Sequence, residues 1–213
     1  MKRYKKDFIT AALSNNVLRF GGFTLKSGRQ SPYFFNTGEF NTGSALALLA
    51  NAYASAIIDN GIEFDLLYGP AYKGIPLSSA VAISLFNNYG MDRSFCFNRK
   101  EKKDHGEGGI TLGAKLTGRA LIIDDVISAG TSVRESHSLI VEHGATLAGV
   151  CVALDRQEKG ASNLSAVQEV TNTYGIPVIS IISLADIIEF ITEISDHSEN
   201  LSTISEYRNT YGI

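Results

Sequence analysis

The residues best suited to chemistry stand together in the run Leu121-Ile122-Ile123-Asp124-Asp125-Val126-Ile127-Ser128-Ala129-Gly130-Thr131-Ser132. An apolar stretch ends in two adjacent carboxylates and opens into small, hydroxyl-bearing residues. The segment that follows, Val133-Arg134-Glu135-Ser136-His137-Ser138-Leu139-Ile140, has helical spacing. A strand–loop–helix unit of this kind offers backbone N–H groups to a phosphate at the helix N-terminus. Ser128, Thr131 and Ser132 add hydroxyl donors to the same cradle. Asp124 and Asp125 would repel a phosphate, so they must serve sugar hydroxyls or a metal-bound water. An anion cradle beside a diol-binding acidic pair is the chemistry a phosphorylated ribose asks for. Asp-Asp alone would read as the polar end of a buried strand; the whole run, in this order, favours the ribose reading.

Other candidates lie elsewhere in the chain. Gly69-Pro70-Ala71-Tyr72-Lys73-Gly74 can bring backbone close to an anion while Lys73 supplies charge. It lacks the G-x-x-x-x-G-K-[ST] spacing of a nucleotide P-loop, and a tight turn with a solvated lysine is the bland alternative. Arg99-Lys100-Glu101-Lys102-Lys103-Asp104-His105-Gly106-Glu107-Gly108-Gly109 is a charged run with three glycines. It cannot pack into a core. It is expected to be either a solvated hairpin or, over residues 99–110, a mobile lid that excludes water from a reactive ligand. His105 within it is a candidate general acid or charge partner. Arg156 follows a strand and could clamp a planar carboxylate in bidentate fashion, although its neighbour Asp155 could equally hold it in a structural pair. Tyr33-Phe34-Phe35 could cover a flat base or simply pack a core.

These residues need elements to hold them. Apolar periodicity and closing signals such as Asn60-Gly61 and Tyr174-Gly175 predict helices over 45–59, 75–88, 131–143 and 164–173. Short apolar runs predict strands over 64–68, 94–97, 119–123, 147–154 and 178–182. Strands alternating with helices imply an α/β fold, a central and mostly parallel sheet flanked by helices. In such a sheet ligands sit beyond the carboxyl ends of the strands. The 69–74 loop, Arg99 with Lys100, Asp124 with Asp125, and Arg156 all fall at such ends. At the start of the chain an amphipathic helix carrying Phe8, Ala11, Ala12 and Leu13 precedes the glycine-rich aromatic stretch up to Phe35. Residues 186–213 suggest one or two closing helices. The expectation is one domain over 1–213, with a core over about 40–185 and a small hood built from about 1–39 and 186–213.

Composition narrows the classes. With 213 residues, 44% of them hydrophobic, the chain can bury a sizeable core. A formal net charge of -3 gives no global basic field to attract nucleic acid or a membrane. The two cysteines, Cys96 and Cys151, lie in apolar runs and are expected to be buried thiols. The basic segment from Met1 to Asp7 lacks a signal peptide's apolar core, and no apolar run reaches bilayer length, so a cytoplasmic location is expected.

The Asp124–Ser132 run resembles the 5-phosphoribosyl-1-pyrophosphate (PRPP) motif of the type I phosphoribosyltransferases. Further segments carry the likeness over nearly the whole chain: Phe23-Thr24-Leu25-Lys26-Ser27-Gly28-Arg29, Ser31-Pro32-Tyr33-Phe34-Phe35-Asn36, the 69–76 and 97–109 segments, and Leu154-Asp155-Arg156-Gln157-Glu158. The Lys26 segment and the charged run narrow the resemblance to the orotate phosphoribosyltransferase family. It implies Mg2+-dependent transfer of ribose 5-phosphate from PRPP to orotate, giving orotidine 5′-monophosphate and pyrophosphate in UMP biosynthesis. It implies catalytic roles for Lys26, Lys103, His105, Asp124 and Asp125. PRPP would be bound by Lys26, Tyr72, Lys73, Arg99, Lys100, Lys103, His105, Asp124, Asp125 and the loop of Val126, Ile127, Ser128, Ala129, Gly130, Thr131 and Ser132. Orotate would be bound by Lys26, Phe34, Phe35, Ser128 and Arg156. The metal would travel with PRPP, bridged by water to Asp124 or Asp125 rather than held by a protein cage. A homodimer is implied, with lid residues reaching into the partner's site. So is a strained or cis non-proline peptide bond near Ala71-Tyr72. One departure is Ser128, where the family usually has threonine; serine keeps the hydroxyl and loses a methyl. The nearest alternatives are a purine phosphoribosyltransferase, which would have no carboxylate for Arg156 to bind, and a PRPP-binding regulator, which would not need Lys103 and His105.

Overall fold

The fold is built on a six-stranded sheet packed on both faces. The computed structural model describes residues 1–213 except Lys26 and residues 104–108, 128–129, 161–162 and 195–197; the side chains of Lys102, Lys103 and Ser198 also lie outside the description. In chain order the elements are α1 (Arg3–Ser14), β1 (Leu18–Thr24), β2 (Gln30–Phe35), a 3-10 turn (Thr37–Glu39), α2 (Gly43–Asn60), β3 (Leu66–Gly69), α3 (Gly74–Tyr89), β4 (Ser94–Lys103), β5 (Gly109–Gly113), β6 (Arg119–Val126), α4 (Thr131–Glu142), β7 (Thr146–Asp155), α5 (Ala166–Tyr174), β8 (Val178–Ser183), α6 (Leu184–Glu193), a second 3-10 turn (Ser198–Asn200) and α7 (Leu201–Tyr211). The strand order is β5-β4-β3-β6-β7-β8. All neighbours are parallel except β5, which runs antiparallel to β4. This is the α/β architecture expected of the alternating pattern.

Strand alternation divides the core in two. Leu67, Leu121, Ile123, Cys151 and Ala153 point to the face covered by α2 and α3. Leu66, Tyr68, Cys96, Ile122, Val150 and Val152 point to the other face, against Val133 and Ile140 of α4 and Val170 of α5. The central strands are therefore apolar at nearly every position, as a sheet buried on both sides requires. Both cysteines are free and buried. Each fully buried aliphatic side chain contributes roughly 1.5–3 kcal/mol.

The helix boundaries follow their caps. Thr42 accepts a hydrogen bond from the Ala45 N–H at the start of α2. Ser165 and Gln168 form a reciprocal capping box, which starts α5 two residues later than the apolar pattern suggested. Gly61, Gly90 and Gly175 close α2, α3 and α5 in the left-handed conformation.

Two features depart from the expected layout. β4 continues past Phe97, where the apolar run ends, as far as Lys103, because antiparallel pairing with β5 satisfies its backbone; of the two forms expected for the charged run this is the hairpin. Residues 18–35 form a separate antiparallel hairpin, β1 with β2, whose register shifts between Phe20 and Phe23. Its glycines hide the strand alternation that periodicity relies on. At the chain ends, α1 packs on α6 and α7 packs on β2. Ion pairs from Lys5 to Asp186 and Lys6 to Glu193, at 2.9 Å and 2.8 Å, stitch α1 to α6.

Candidate active site

The sheet has one topological switch point. β3 and β6 lie side by side, with Tyr68 opposite Ile122. From there β3 leads by α3 to β4 on one side, and β6 leads by α4 to β7 on the other. Crevices of this kind, outside the strand carboxyl ends, are where open α/β sheets bind ligands. Two sequence-expected loops meet in it. Lys73 at the end of the 69–74 loop donates to Asp125 Oδ2 at 2.6 Å, although the two are 52 residues apart in sequence. Thr37 Oγ1 donates to the same oxygen at 3.4 Å, and Asn36 Oδ1 lies 3.5 Å from Lys73 Nζ.

Gly69 and Gly74 are required by the closeness of the chain to itself. A Cβ on Gly69 would overlap the Gly74 carbonyl oxygen and Ser78 Oγ, and one on Gly74 would lie 2.6 Å from the Gly69 carbonyl carbon and Pro70 Cδ. The Ala71–Tyr72 peptide bond is cis, at the place expected. Asn98 of β4 accepts from the Ala71 N–H at 2.8 Å, so the root of the charged hairpin touches the 69–74 loop directly.

The acidic pair is asymmetric. Asp124 is nearly buried: Oδ1 accepts from the Asp125 N–H at 2.9 Å and Oδ2 from Ser132 Oγ at 2.8 Å. Tyr53, fully buried, donates to the Asp124 carbonyl at 2.7 Å and fixes the strand end from behind. Burial, with the neighbouring Asp125 charge second, pushes the Asp124 carboxyl up to about 6. Asp125 is more open, with Oδ1 accepting from the Val126 N–H at 2.9 Å and Oδ2 facing Lys73. Beyond them Gly130, at φ 66°, caps α4. By helix geometry the first-turn N–H groups at Thr131 and Ser132 have no intrahelical acceptor. The structure differs from expectation at Ser132: its single hydroxyl proton goes to Asp124, so its backbone is what it can offer an anion. Thr131 Oγ1 accepts from Arg134 Nη2 at 3.3 Å and keeps its own proton.

Arg156 lies just past β7, and its partner is Glu158 rather than the neighbouring Asp155. Nε donates to Glu158 Oε1 at 2.8 Å and Nη2 lies 2.6 Å from the same oxygen. The guanidinium carbon sits 4.4 Å from the centre of the Tyr33 ring, and Nη2 is 3.3 Å from Ser31 Oγ. Phe34 and Phe35 diverge. Phe35 packs into the core near Phe8, with ring centres 6.5 Å apart. Phe34 lies against Phe23 and Arg19, at 5.4 Å and 5.2 Å. Arg99 Nη1 reaches the Gly109 carbonyl at 3.5 Å across the hairpin, Lys100 is exposed, and Tyr72 is 71% exposed. Lys26, His105, Ser128 and Ala129, and the Lys103 side chain, lie outside the described residues. Thr37, Tyr53, Asn98 and Glu158 received no role from sequence reasoning, because each acts through a contact far off in the chain or through a polar type common at any surface.

The carboxylates suit a metal carried by a ligand better than one caged by protein. Each Asp124 and Asp125 oxygen already accepts a hydrogen bond or faces Lys73. Among the described residues no group of three or more His, Cys, Asp or Glu side chains gathers as a cage would require. No helix among the described residues is long and apolar enough to cross a membrane.

Comparison with known proteins agrees with this geometry. Residues 36–179 match the family model described as a phosphoribosyl transferase domain. A curated relative from Salmonella agona (strain SL483), named orotate phosphoribosyltransferase, is 56% identical over 213 residues, covering 100% of both chains. The crystal structure of orotate phosphoribosyltransferase from Francisella tularensis superposes with a TM-score of 0.88 at 44% identity, covering 97% of this chain and 99% of that one. Mycobacterium tuberculosis H37Rv orotate phosphoribosyltransferase, solved in complex with PRPP, shares the fold at a TM-score of 0.62 and 20% identity, covering 85% of this chain and 98% of that one.

Proposed function

Because this chain belongs to the phosphoribosyl transferase domain family, and within it to the orotate phosphoribosyltransferases, we propose that it transfers the ribose 5-phosphate group of PRPP to a ring nitrogen of orotate. The products are orotidine 5′-monophosphate and pyrophosphate, and the step serves pyrimidine biosynthesis. The observation that carries the reading is the meeting of Lys73 with the Asp124–Asp125 pair at the switch point, beside the N-terminus of α4. The ribose lies along the carboxylates with its hydroxyls on Asp124 and Asp125. Its 5-phosphate sits on the first turn of α4 and the loop from Val126 to Ser132.

In the reaction the bond from ribose C1 to pyrophosphate oxygen breaks and a bond from C1 to the base nitrogen forms. The anomeric carbon gains oxocarbenium character, so catalysis is placement plus stabilisation of departing charge. Lys73, Tyr72, Arg99, Lys100, Lys103 and His105 hold the pyrophosphate. Lys73 exchanges Asp125 for the phosphate oxygens as PRPP enters. Lys26, Phe34, Phe35, Ser128 and Arg156 hold orotate, with Arg156 on its carboxylate. Asp124 or Asp125 would hold, through water, the Mg2+ that accompanies PRPP, and the ion would supply neutralising charge for the departing pyrophosphate. Residues 99–110 close as a lid and exclude water from the activated sugar. The segments 1–39 and 186–213 form a hood over the base.

A homodimer fits the surface of α3. Pro76, Ile83 and Phe86 lie along one exposed stripe of that helix, with Ile83 62% and Phe86 57% exposed, and the stripe runs toward Tyr72 in the anion loop. A second copy docked there would bring its charged hairpin near this site. The test of the function is turnover itself: loss of orotate absorbance on addition of PRPP and Mg2+.

A further inference from the structure

We propose that Glu158 is a positioning residue for the base: it aims the Arg156 guanidinium so that only its far end is open to the orotate carboxylate. This rests on the reading of Arg156 as the carboxylate-binding group and deepens it. Glu158 Oε1 takes the Nε and Nη2 edge of Arg156 at 2.8 Å and 2.6 Å. Tyr33 closes one flat face at 4.4 Å and donates its hydroxyl to the same Glu158 oxygen at 3.2 Å. Tyr207 lies against the same pair, interacting with both Arg156 and Glu158. A guanidinium held along one edge and one face can present a fork in one direction only.

The backbone around Glu158 is built to hold this arrangement. Gln157 adopts a left-handed conformation, φ 51°, which a residue with a Cβ occupies only when its surroundings compel it. Asp155 Oδ1 accepts from the Gln157 N–H at 2.9 Å, and Gln157 Oε1 accepts from the Ala185 N–H at 2.9 Å. The Lys159 N–H donates to the Tyr211 carbonyl and the Ile213 N–H to the Gln157 carbonyl, at 2.8 Å and 3.1 Å. The other oxygen of Glu158, Oε2, faces Arg29 Nη1 at 3.8 Å, and that same nitrogen donates to the Lys159 carbonyl at 3.0 Å. Arg29 ends the loop that carries Lys26. One carboxylate thus ties together the two basic elements assigned to the base. Both Arg156 and Glu158 are largely shielded, at 19% and 12% side-chain exposure, so the pair is not a loose surface contact.

The bland alternative is a structural pair that merely neutralises a buried arginine. Kinetics on Glu158→Gln, Glu158→Asp, Tyr33→Phe and Arg156→Lys separate the two. Positioning predicts that Glu158→Gln raises the orotate KM about tenfold while the PRPP KM stays within about twofold. It predicts a weaker preference for orotate over uracil, which lacks the carboxylate. Glu158→Asp restores charge but falls short by a methylene, so thermal stability returns while the orotate KM stays high. Tyr33→Phe, which keeps the ring and loses only the hydroxyl, gives a smaller rise of the same kind and stands in if Glu158→Gln does not fold. The double variant Glu158→Gln with Arg156→Lys is less than additive. An unchanged orotate KM in Glu158→Gln, or equal rises in both KM values tracking lost stability, overturns the proposal while leaving the Arg156 reading intact. An unchanged orotate KM in Arg156→Lys overturns the Arg156 reading, and this proposal with it.

Discussion

Asp124 is held in a place that disfavours its own charge. Its carboxyl sits near 6, raised by burial and by Asp125, against an ordinary value near 3.8. A raised carboxylate contributes stability that is present below the unfolded value and lost as pH climbs through the folded one. Asp124→Asn removes that loss. Thermal midpoints measured from pH 4 to pH 8 should show the variant gaining on the parent as pH rises, while its turnover collapses; a constant offset across the range would contradict the assignment. Such a cost at a position proposed to bind ribose is what a site optimised for its ligand tolerates. Lys73 tests the other half of the crevice. Lys73→Met should raise the PRPP KM at least about tenfold with little change in orotate KM, as expected for a lost phosphate contact; steady-state kinetics with each substrate varied would reveal the opposite split. The acidic pair and Lys73 were legible in the sequence because their residue types and flanking glycines or hydroxyls are chemically unusual. Their contact was not legible, since 52 residues separate them. Nor were Asn98 or Glu158, whose side chains look like any polar surface until the fold turns them inward.

Among the elements, the 69–74 loop and the hairpin of β4 and β5 meet directly, through Ala71 and Asn98. Gly74→Ala would force a Cβ to within 2.6 Å of the Gly69 carbonyl carbon and Pro70 Cδ. The loop must open to accept it, and the expected result is a stability loss of more than about 2 kcal/mol in denaturant titration, together with loss of PRPP binding. A variant as stable and as active as the parent would remove the close approach of β3 and α3 from the account. For the lid, Lys103→Ala and His105→Ala should lower kcat far more than PRPP affinity, read by turnover and by calorimetry respectively. Near-normal turnover in both would remove the lid from the mechanism. The parallel sheet and the helices closed by Gly61, Gly90 and Gly175 followed from apolar runs and closing glycines. The hairpin of β1 and β2 did not, because Gly21 and Gly22 break its alternation where the register shifts. The charged run takes the hairpin form that was one of its two expectations, but the strand bound beyond Phe97 was not legible, because an edge ladder satisfies backbone without any apolar signal in the side chains.

For the whole molecule, the proposals are one catalytic domain and a dimer formed along α3. Phe86→Glu should shift the protein to monomer in light scattering and reduce turnover, since lid residues would no longer reach a partner's site. A dimer that survives the charge would place the interface elsewhere. Family likeness supplied the dimer, and the exposed apolar stripe on α3 supports it; helical spacing alone could not reveal it, because an apolar face turned to a second copy has the same pattern as one turned to the core. The most direct test of the central claim is the ultraviolet absorbance of orotate in the presence of PRPP and Mg2+, with hypoxanthine and adenine as parallel acceptors. Conversion of orotate and neither purine is the expected result. Conversion of a purine instead, or PRPP binding by calorimetry without conversion of any base, would contradict the assignment of this crevice to orotate phosphoribosyl transfer.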